Sequence, residues 1–324
     1  MTAPTIDLSD RLDAEHRAVF DTLPLDPRDW SDIPALRARM AEMAAGLPQP
    51  VLPPTVAIED RSVPGPAGEP AVTVRLYRPA GLAPGSPALY WIHGGGMVLG
   101  SIAMNDAYCA GVADDLGVLV ASVEYRLAPE DPFPAPLEDC YAGLAWFAAS
   151  SDSLGIDRGR IAVGGASAGG GLAAGVALAA RDRGEVPLCF QLLVYPMLDD
   201  RNATASSHAI TDPRLWNREA NLAGWGAYLA GNAGGEGVSP YAAPARATDL
   251  AGLPPAYINV GDLDLFVDED VAYARALGAA GVPAELHIYP GAYHGSNGSV
   301  PNSALSQRWL ADERAALARA LNGT

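Results

Sequence analysis

A serine lies between two glycines in Gly165-Ala166-Ser167-Ala168-Gly169, which fits G-x-S-x-G. The run follows an apolar stretch and opens a segment that reads as a helix. A tight strand-to-helix turn there would hold the serine in a strained backbone conformation, with its hydroxyl at the top of a sheet. Residues two positions away must then be small, because the chain folds back on itself. The helix N-terminus would add free N–H groups that favour negative charge. The plainer alternative is a glycine-rich packing contact between strand and helix, so the pattern carries weight only with its context.

A serine hydroxyl is a weak nucleophile near neutral pH. It needs a base to take its proton and an acid to orient that base. The chain offers five histidines. His294 lies in Pro290-Gly291-Ala292-Tyr293-His294-Gly295, a loop after the last predicted strand. His287 lies inside that strand, where a base seldom sits, and His16 lies in an N-terminal helix. His208 falls in an insertion and fits a surface position. His93 begins His93-Gly94-Gly95-Gly96, whose glycines can adopt positive φ and turn N–H groups toward a developing oxyanion. A flexible turn is the simpler account of that run. For the acid, Asp262, Asp264, Asp268 and Asp270 all follow one predicted strand, and spacing alone does not choose among them. Acid in the first turn of a helix is also what the dipole favours.

These groups need a scaffold. Apolar runs at 56–58, 71–77, 88–92, 118–123, 160–163, 190–195, 256–260 and 285–289 read as strands. Pro64-Gly65-Pro66-Ala67-Gly68 supplies a turn for an antiparallel hairpin between the first two. Segments 107–116, 136–149, 170–181 and 268–280 read as helices. Apolar runs alternating with helices argue for an α/β fold with a mostly parallel central sheet and helices on both faces. Ahead of them, Ile6, Leu8, Leu12, Val19 and Phe20 recur at near-helical spacing. A second helix starts near Asp32 with Pro34 in its first turn, puts Leu36, Met40 and Met43 on one face, and ends at Gly46. Residues 47–54 form a proline-rich linker. Residues 201–237 are too long for a simple crossover and read as a lid, with a helix capped by Asn217 and stopped at Gly231. The expected organisation is N-terminal cap helices over 1–50, a catalytic core over 51–200 and 238–324, and a cap insertion over 201–237. The C-terminal helix, 305–321, offers Leu310, Ala316 and Leu317 to the core.

The 324 residues carry a net charge of -17, and all 21 basic residues are arginine. Such an acidic surface repels phosphate backbones and anionic lipid, so nucleic acid is excluded as a partner. Cys109, Cys140 and Cys189 are an odd, widely spaced set that suits small core residues rather than disulfides or a metal. Residues 1–9 lack a signal-peptide pattern and no stretch has 18 uncharged apolar residues, so a cytoplasmic chain without membrane insertion is expected.

In family order, the chain contains His93-Gly94-Gly95-Gly96, Tyr125-Arg126-Leu127-Ala128-Pro129-Glu130, Phe133-Pro134-Ala135, Glu138-Asp139, Gly165 to Gly170, Asp264 to Glu269, and His294-Gly295. It resembles the bacterial hormone-sensitive-lipase-like esterases of the α/β-hydrolase superfamily, whose nucleophile, acid and base follow in the order Ser, Asp, His. The resemblance implies Ser167 as nucleophile, His294 as general base, Asp264 as orienting acid, and the N–H groups of Gly95, Gly96 and Ala168 as the oxyanion hole. It implies hydrolysis of short- to medium-chain acyl esters through an acyl-enzyme, with no cofactor or metal. It also implies N-terminal helices that form part of a cap, and it allows a homodimer. Lactone, amide or carbamate hydrolysis would use the same groups. A non-catalytic receptor on this fold would have lost the base that His294 supplies. A peptidase would need a further domain. Five positions depart from the family. Ala166 stands where relatives carry Asp or Thr, Met97 replaces Phe, Leu265-Phe266 replaces Pro-Leu, and Ser296 replaces an aromatic. Met97, Phe266 and the lid residues Trp216 and Trp225 are the expected walls of a mainly apolar pocket, joined by Leu215 and Leu222.

Overall fold

A computed structural model describes residue 8 and residues 10–24, 28–46 and 50–322. Its strands are β1 (Val56–Val63), β2 (Val72–Pro79), β3 (Ser86–Ile92), β4 (Leu119–Glu124), β5 (Ile156–Ala166), β6 (Phe190–Val194), β7 (Ala256–Leu263) and β8 (Ala284–Tyr293). They form one eight-stranded sheet in the order β1-β2-β4-β3-β5-β6-β7-β8. The β1–β2 hairpin and the β2–β4 pair are antiparallel, and every other pair is parallel. Every residue of β3 and β6 is buried, as a strand covered on both faces requires. β1 is buried only at its two ends. Its Glu59-Asp60-Arg61 run suits a sheet edge, where charge discourages pairing with another chain. That polar stretch is why the apolar pattern marked three residues of an eight-residue strand.

The helices are α1 (Ala14–Phe20), α2 (Ile33–Ala45), α3 (Asp106–Leu116), α4 (Ala135–Ala149), α5 (Ser151–Leu154), α6 (Ala168–Arg183), α7 (Ala205–Ala209), α8 (Arg218–Tyr228), α9 (Val267–Ala279), α10 (Ser296–Ser299) and α11 (Ala304–Asn322). The central one is α6, buried from Ala168 to Ala180 because Ala and Gly let it approach the sheet closely. α11 fastens to the sheet through buried Glu313, which accepts from Asn259 Nδ2 (2.9 Å), Trp309 Nε1 (2.7 Å) and the Tyr108 hydroxyl (3.0 Å). Trp309 fills the core position that helical spacing assigned to Leu310, which is only half-buried.

The N-terminal region differs in part from expectation. α1 is shorter than the apolar spacing suggests, because the Asp13 side chain caps it by accepting from Glu15 N and His16 N. Leu8 and Leu12 are buried ahead of the helix, and Ile6 lies outside the described residues. α2 starts after Asp32 and stops at Gly46 as read, yet Met40 and Met43 face solvent and Leu36 is buried. Of the expected linker, residues 47–49 lie outside the described residues, as do residues 1–7 and 9 of the segment read for a signal. In the 201–237 insertion, Asn217 caps α8 by accepting from Ala220 N, and Gly231 N bonds back to Gly226 O (2.7 Å) to end it. The insertion meets the N-terminal segment: Arg28 Nη1 donates to Leu215 O (3.3 Å), Trp30 packs edge-on against Trp216, and Arg214 lies over Phe20. No helix among the described residues is long and apolar enough to cross a membrane.

Candidate active site

Ser167 sits between the end of β5 and the first residue of α6, with φ 58° and ψ -122°. Positive φ is strained for a residue with a side chain and persists only where its surroundings enforce it. Here the turn is enforced by contact. A Cβ on Gly165 would overlap the Gly169 and Ile92 carbonyls, and a Cβ on Gly169 would overlap the Ile92 and His93 carbonyls. Ser167 N donates to Val194 O (2.9 Å), and Gly171 N donates to Ser167 O (3.1 Å) as the first helical bond. The N–H of Ala168, at the first position of α6, has no intrahelical acceptor.

His294 follows β8. Its Nε2 lies 3.0 Å from Ser167 Oγ, and its Nδ1 lies 2.7 Å from Asp264 Oδ2. A carboxylate only accepts, so Nδ1 carries the ring proton and Nε2 presents its lone pair to the hydroxyl. The other Asp264 oxygen accepts from Phe266 N (3.0 Å). Asp264 is buried and the His294 side chain is 11 % exposed. The remaining acids on this stretch go elsewhere. Asp262 accepts from Arg11 and from Gly291 N, Asp268 accepts from Ser206 N, and Asp270 is buried without a hydrogen-bond partner among the described residues. Aromatic edges confine the imidazole: Phe266 lies at 5.2 Å and Tyr195 at 4.8 Å between ring centroids.

The glycine run after β3 lies directly against this turn. A Cβ on Gly94 would sit 2.7 Å from Ala166 O and 3.3 Å from Ser167 Cβ. Gly95 (φ 119°) and Gly96 (φ 63°) hold positive φ, and Gly95 O accepts from Val98 N (3.1 Å) and Leu99 N (2.8 Å). Beneath them His93 is buried, stacked on Tyr125, and bonded through Nδ1 to Gly94 O (2.8 Å). Burial lowers its pKa to about 4, which favours the neutral ring. Among the described residues no group of three or more His, Cys, Asp or Glu is arranged to hold a metal ion.

Residues 89–297 match the sequence model of a family described as having the alpha/beta hydrolase fold. The chain belongs to that family. Esterase LipI of Mycobacterium tuberculosis is 37 % identical to this hydrolase over 279 residues, 86 % of this chain and 85 % of its own. Carboxylesterase NlhH of the same organism is 36 % identical over 301 residues, 91 % of each chain. A solved structure of a bacterial heroin esterase superposes on the hydrolase with a TM-score of 0.90 at 45 % identity, covering 97 % of this chain and 99 % of that one. The resemblance to the hormone-sensitive-lipase-like esterases read from the motifs therefore holds.

The other residues singled out in the hydrolase sequence fall in different places. Trp216 lies over Gly96, where its ring fills the space a Cβ would need, and its Nε1 donates to Asn221 Oδ1 (3.1 Å). Met97, Trp225 and Phe266 are fully buried, and Trp225 packs on Tyr228. Leu215 is buried as well, whereas Leu222 is 49 % exposed and does not line the interior. His208 is exposed on α7, as a surface residue would be, and His16 is buried against Ser303 and Ser306. Sequence reasoning missed Tyr195, whose ring abuts His294. The signal for it was position, since it follows β6 at the carboxyl end of the sheet, where open α/β sheets place ligands.

Proposed function

We propose that this protein is a carboxylic ester hydrolase working by acyl transfer through Ser167. The observation that carries the reading is the line of contacts from Asp264 through His294 to a serine held at positive φ at a helix N-terminus. His294 Nε2 takes the hydroxyl proton as Ser167 Oγ attacks the ester carbonyl. The oxyanion forms against the N–H groups of Gly95, Gly96 and Ala168. His294 then returns the proton to the leaving alcohol, and the acyl group remains on Ser167. Water repeats the sequence: His294 deprotonates it, it attacks the acyl-enzyme, and Ser167 regains its proton as the acid leaves. Asp264 keeps the imidazole in the productive tautomer and stabilises its charged form.

The α1–α2 region and residues 201–237 serve as the cap over this site. The preferred substrates are short- to medium-chain acyl esters. Support comes from Trp216, which closes the space beside Gly96 and is braced by Trp30 and Asn221. A panel of p-nitrophenyl esters tests both statements. Butanoate or hexanoate should give the highest kcat/KM, and Ser167→Ala should lower kcat on the order of 10⁶-fold without unfolding the protein. Near-parental turnover by that variant would refute the assignment, and faster turnover of long-chain emulsions would refute the chain-length preference.

A further inference from the structure

We propose that Arg37, on α2, is a positioning residue for the oxyanion loop. The inference rests on the hydrolase reading above and adds a part of its machinery from outside the catalytic core. The loop of Gly95 and Gly96 continues into Met97, a residue with a side chain held at φ 60°. Glycines place no steric limit on their own backbone, and Met97 is strained. What keeps these three peptides in one conformation must therefore act on their carbonyls and exit.

Gly95 O is held within the loop by Val98 N and Leu99 N, and the bonds that hold the exit converge on one guanidinium. Arg37 Nε donates to Val98 O (2.9 Å), and Nη2 donates to Ala128 O (2.9 Å). Ala128 N in turn donates to Met97 O (2.9 Å). Arg37 Nη1 and Nη2 each meet one Glu130 carboxylate oxygen at 3.0 Å. The strained Met97 is thus gripped at its own carbonyl and at the next one, by Ala128 and Arg37, and Arg37 joins the two grips. The side chains of Arg37 and Glu130 are 28 % and 46 % exposed, so their ion pair adds little stability by itself. Its effect is to hold the flat fork edge-on to the two carbonyls, a geometry a lysine cannot reproduce. α2 buries Ile33 and Leu36 alone among its thirteen residues, so Arg37 ties that helix to the loop, and the cap region helps set the direction of the Gly95 and Gly96 N–H groups.

The test compares the full chain with Arg37→Ala and Arg37→Lys on p-nitrophenyl butanoate, with rates expressed per serine titrated to completion by a fluorophosphonate. Complete loss of one oxyanion donor costs 10²–10³ in kcat, so loosening the loop should lower kcat about tenfold in Arg37→Ala. KM should stay within about twofold, phosphonylation should slow by the same factor as kcat, and millimolar guanidinium should restore part of the loss. Arg37→Lys, which keeps the charge but not the fork, should fall between. A merely structural role would reduce the number of titratable serines and leave kcat per serine intact. That result, or a change confined to KM, overturns the proposal. Should Arg37→Ala fail to fold, Arg37→Lys decides: parental kcat per titrated serine would refute the positioning role. A parent chain that neither hydrolyses the ester nor takes the label would instead count against the hydrolase reading beneath it.

Discussion

Replacing Asp264 by asparagine changes one atom of the site and should silence it. In the parent, Oδ1 accepts from Phe266 N (3.0 Å) and Oδ2 faces His294 Nδ1 (2.7 Å). An amide has only one oxygen to share between these two donors. If the oxygen stays with Phe266, the NH₂ faces Nδ1, which must then accept. The ring proton moves to Nε2, 3.0 Å from Ser167 Oγ, and the base becomes a donor. The opposite flip leaves a buried Phe266 N–H unpaired, at a cost of about 1–3 kcal/mol. The productive tautomer is therefore a minority state, and a neutral amide also stabilises imidazolium poorly. An orienting acid changed to its amide in a serine–histidine site lowers kcat about 10⁴-fold, or about 5.5 kcal/mol. Steady-state hydrolysis of p-nitrophenyl butanoate at neutral pH, with Tm measured alongside, reads this out. A variant with parental Tm and more than a few per cent of parental kcat would refute the tautomer argument.

Three further perturbations follow from buried groups. Glu313→Ala leaves Asn259, Trp309 and Tyr108 without their shared acceptor and should lower unfolding free energy by about 3 kcal/mol or more in urea titration; a loss under about 1 kcal/mol would mean those donors find other partners. Burial first, then the charges of Glu269 and Asp264, push the Asp270 carboxyl well above the usual carboxylate range. The native state then holds a proton that the unfolded chain releases above about pH 4, so stability falls as pH rises from there toward the folded-state pKa. Asp270→Asn removes this term, and its Tm difference from the parent should be more positive at pH 7 than at pH 4; equal differences at both would contradict it. Gly169→Ala places a Cβ into the Ile92 and His93 carbonyls and should abolish labelling by a fluorophosphonate, whereas parental labelling would show that the turn tolerates a side chain.

The parts of the molecule that sequence reveals are those governed by local rules. Asp32 and Asn217 cap helices where a side-chain oxygen precedes a helical run, and the glycines around Ser167 mark a turn that no larger residue fits. The parts it hides depend on which surfaces meet. Leu8 and Leu12 have helical spacing but are buried ahead of α1, because Asp13 both caps that helix and donates through its backbone to Gly291 O. Met40 and Met43 share a face that the fold leaves in solvent, and Trp309 takes the core slot beside Leu310. Spacing left the four aspartates from Asp262 to Asp270 equivalent and only the family resemblance pointed to Asp264, which alone among them meets His294 in the fold. Arg37 carried no motif, since its partners Val98, Ala128 and Glu130 lie some sixty to ninety positions away. The strand order, with β4 between β2 and β3, is likewise a matter of pairing that periodicity cannot express.

The most direct measurement is the site of covalent trapping. The intact chain, treated with a fluorophosphonate and digested, should carry a single phosphonyl group on the peptide containing Ser167, and His294→Ala should slow its formation by several orders of magnitude. Modification at another residue, or labelling of Ser167 at an unchanged rate without the imidazole, would contradict the proposed chemistry.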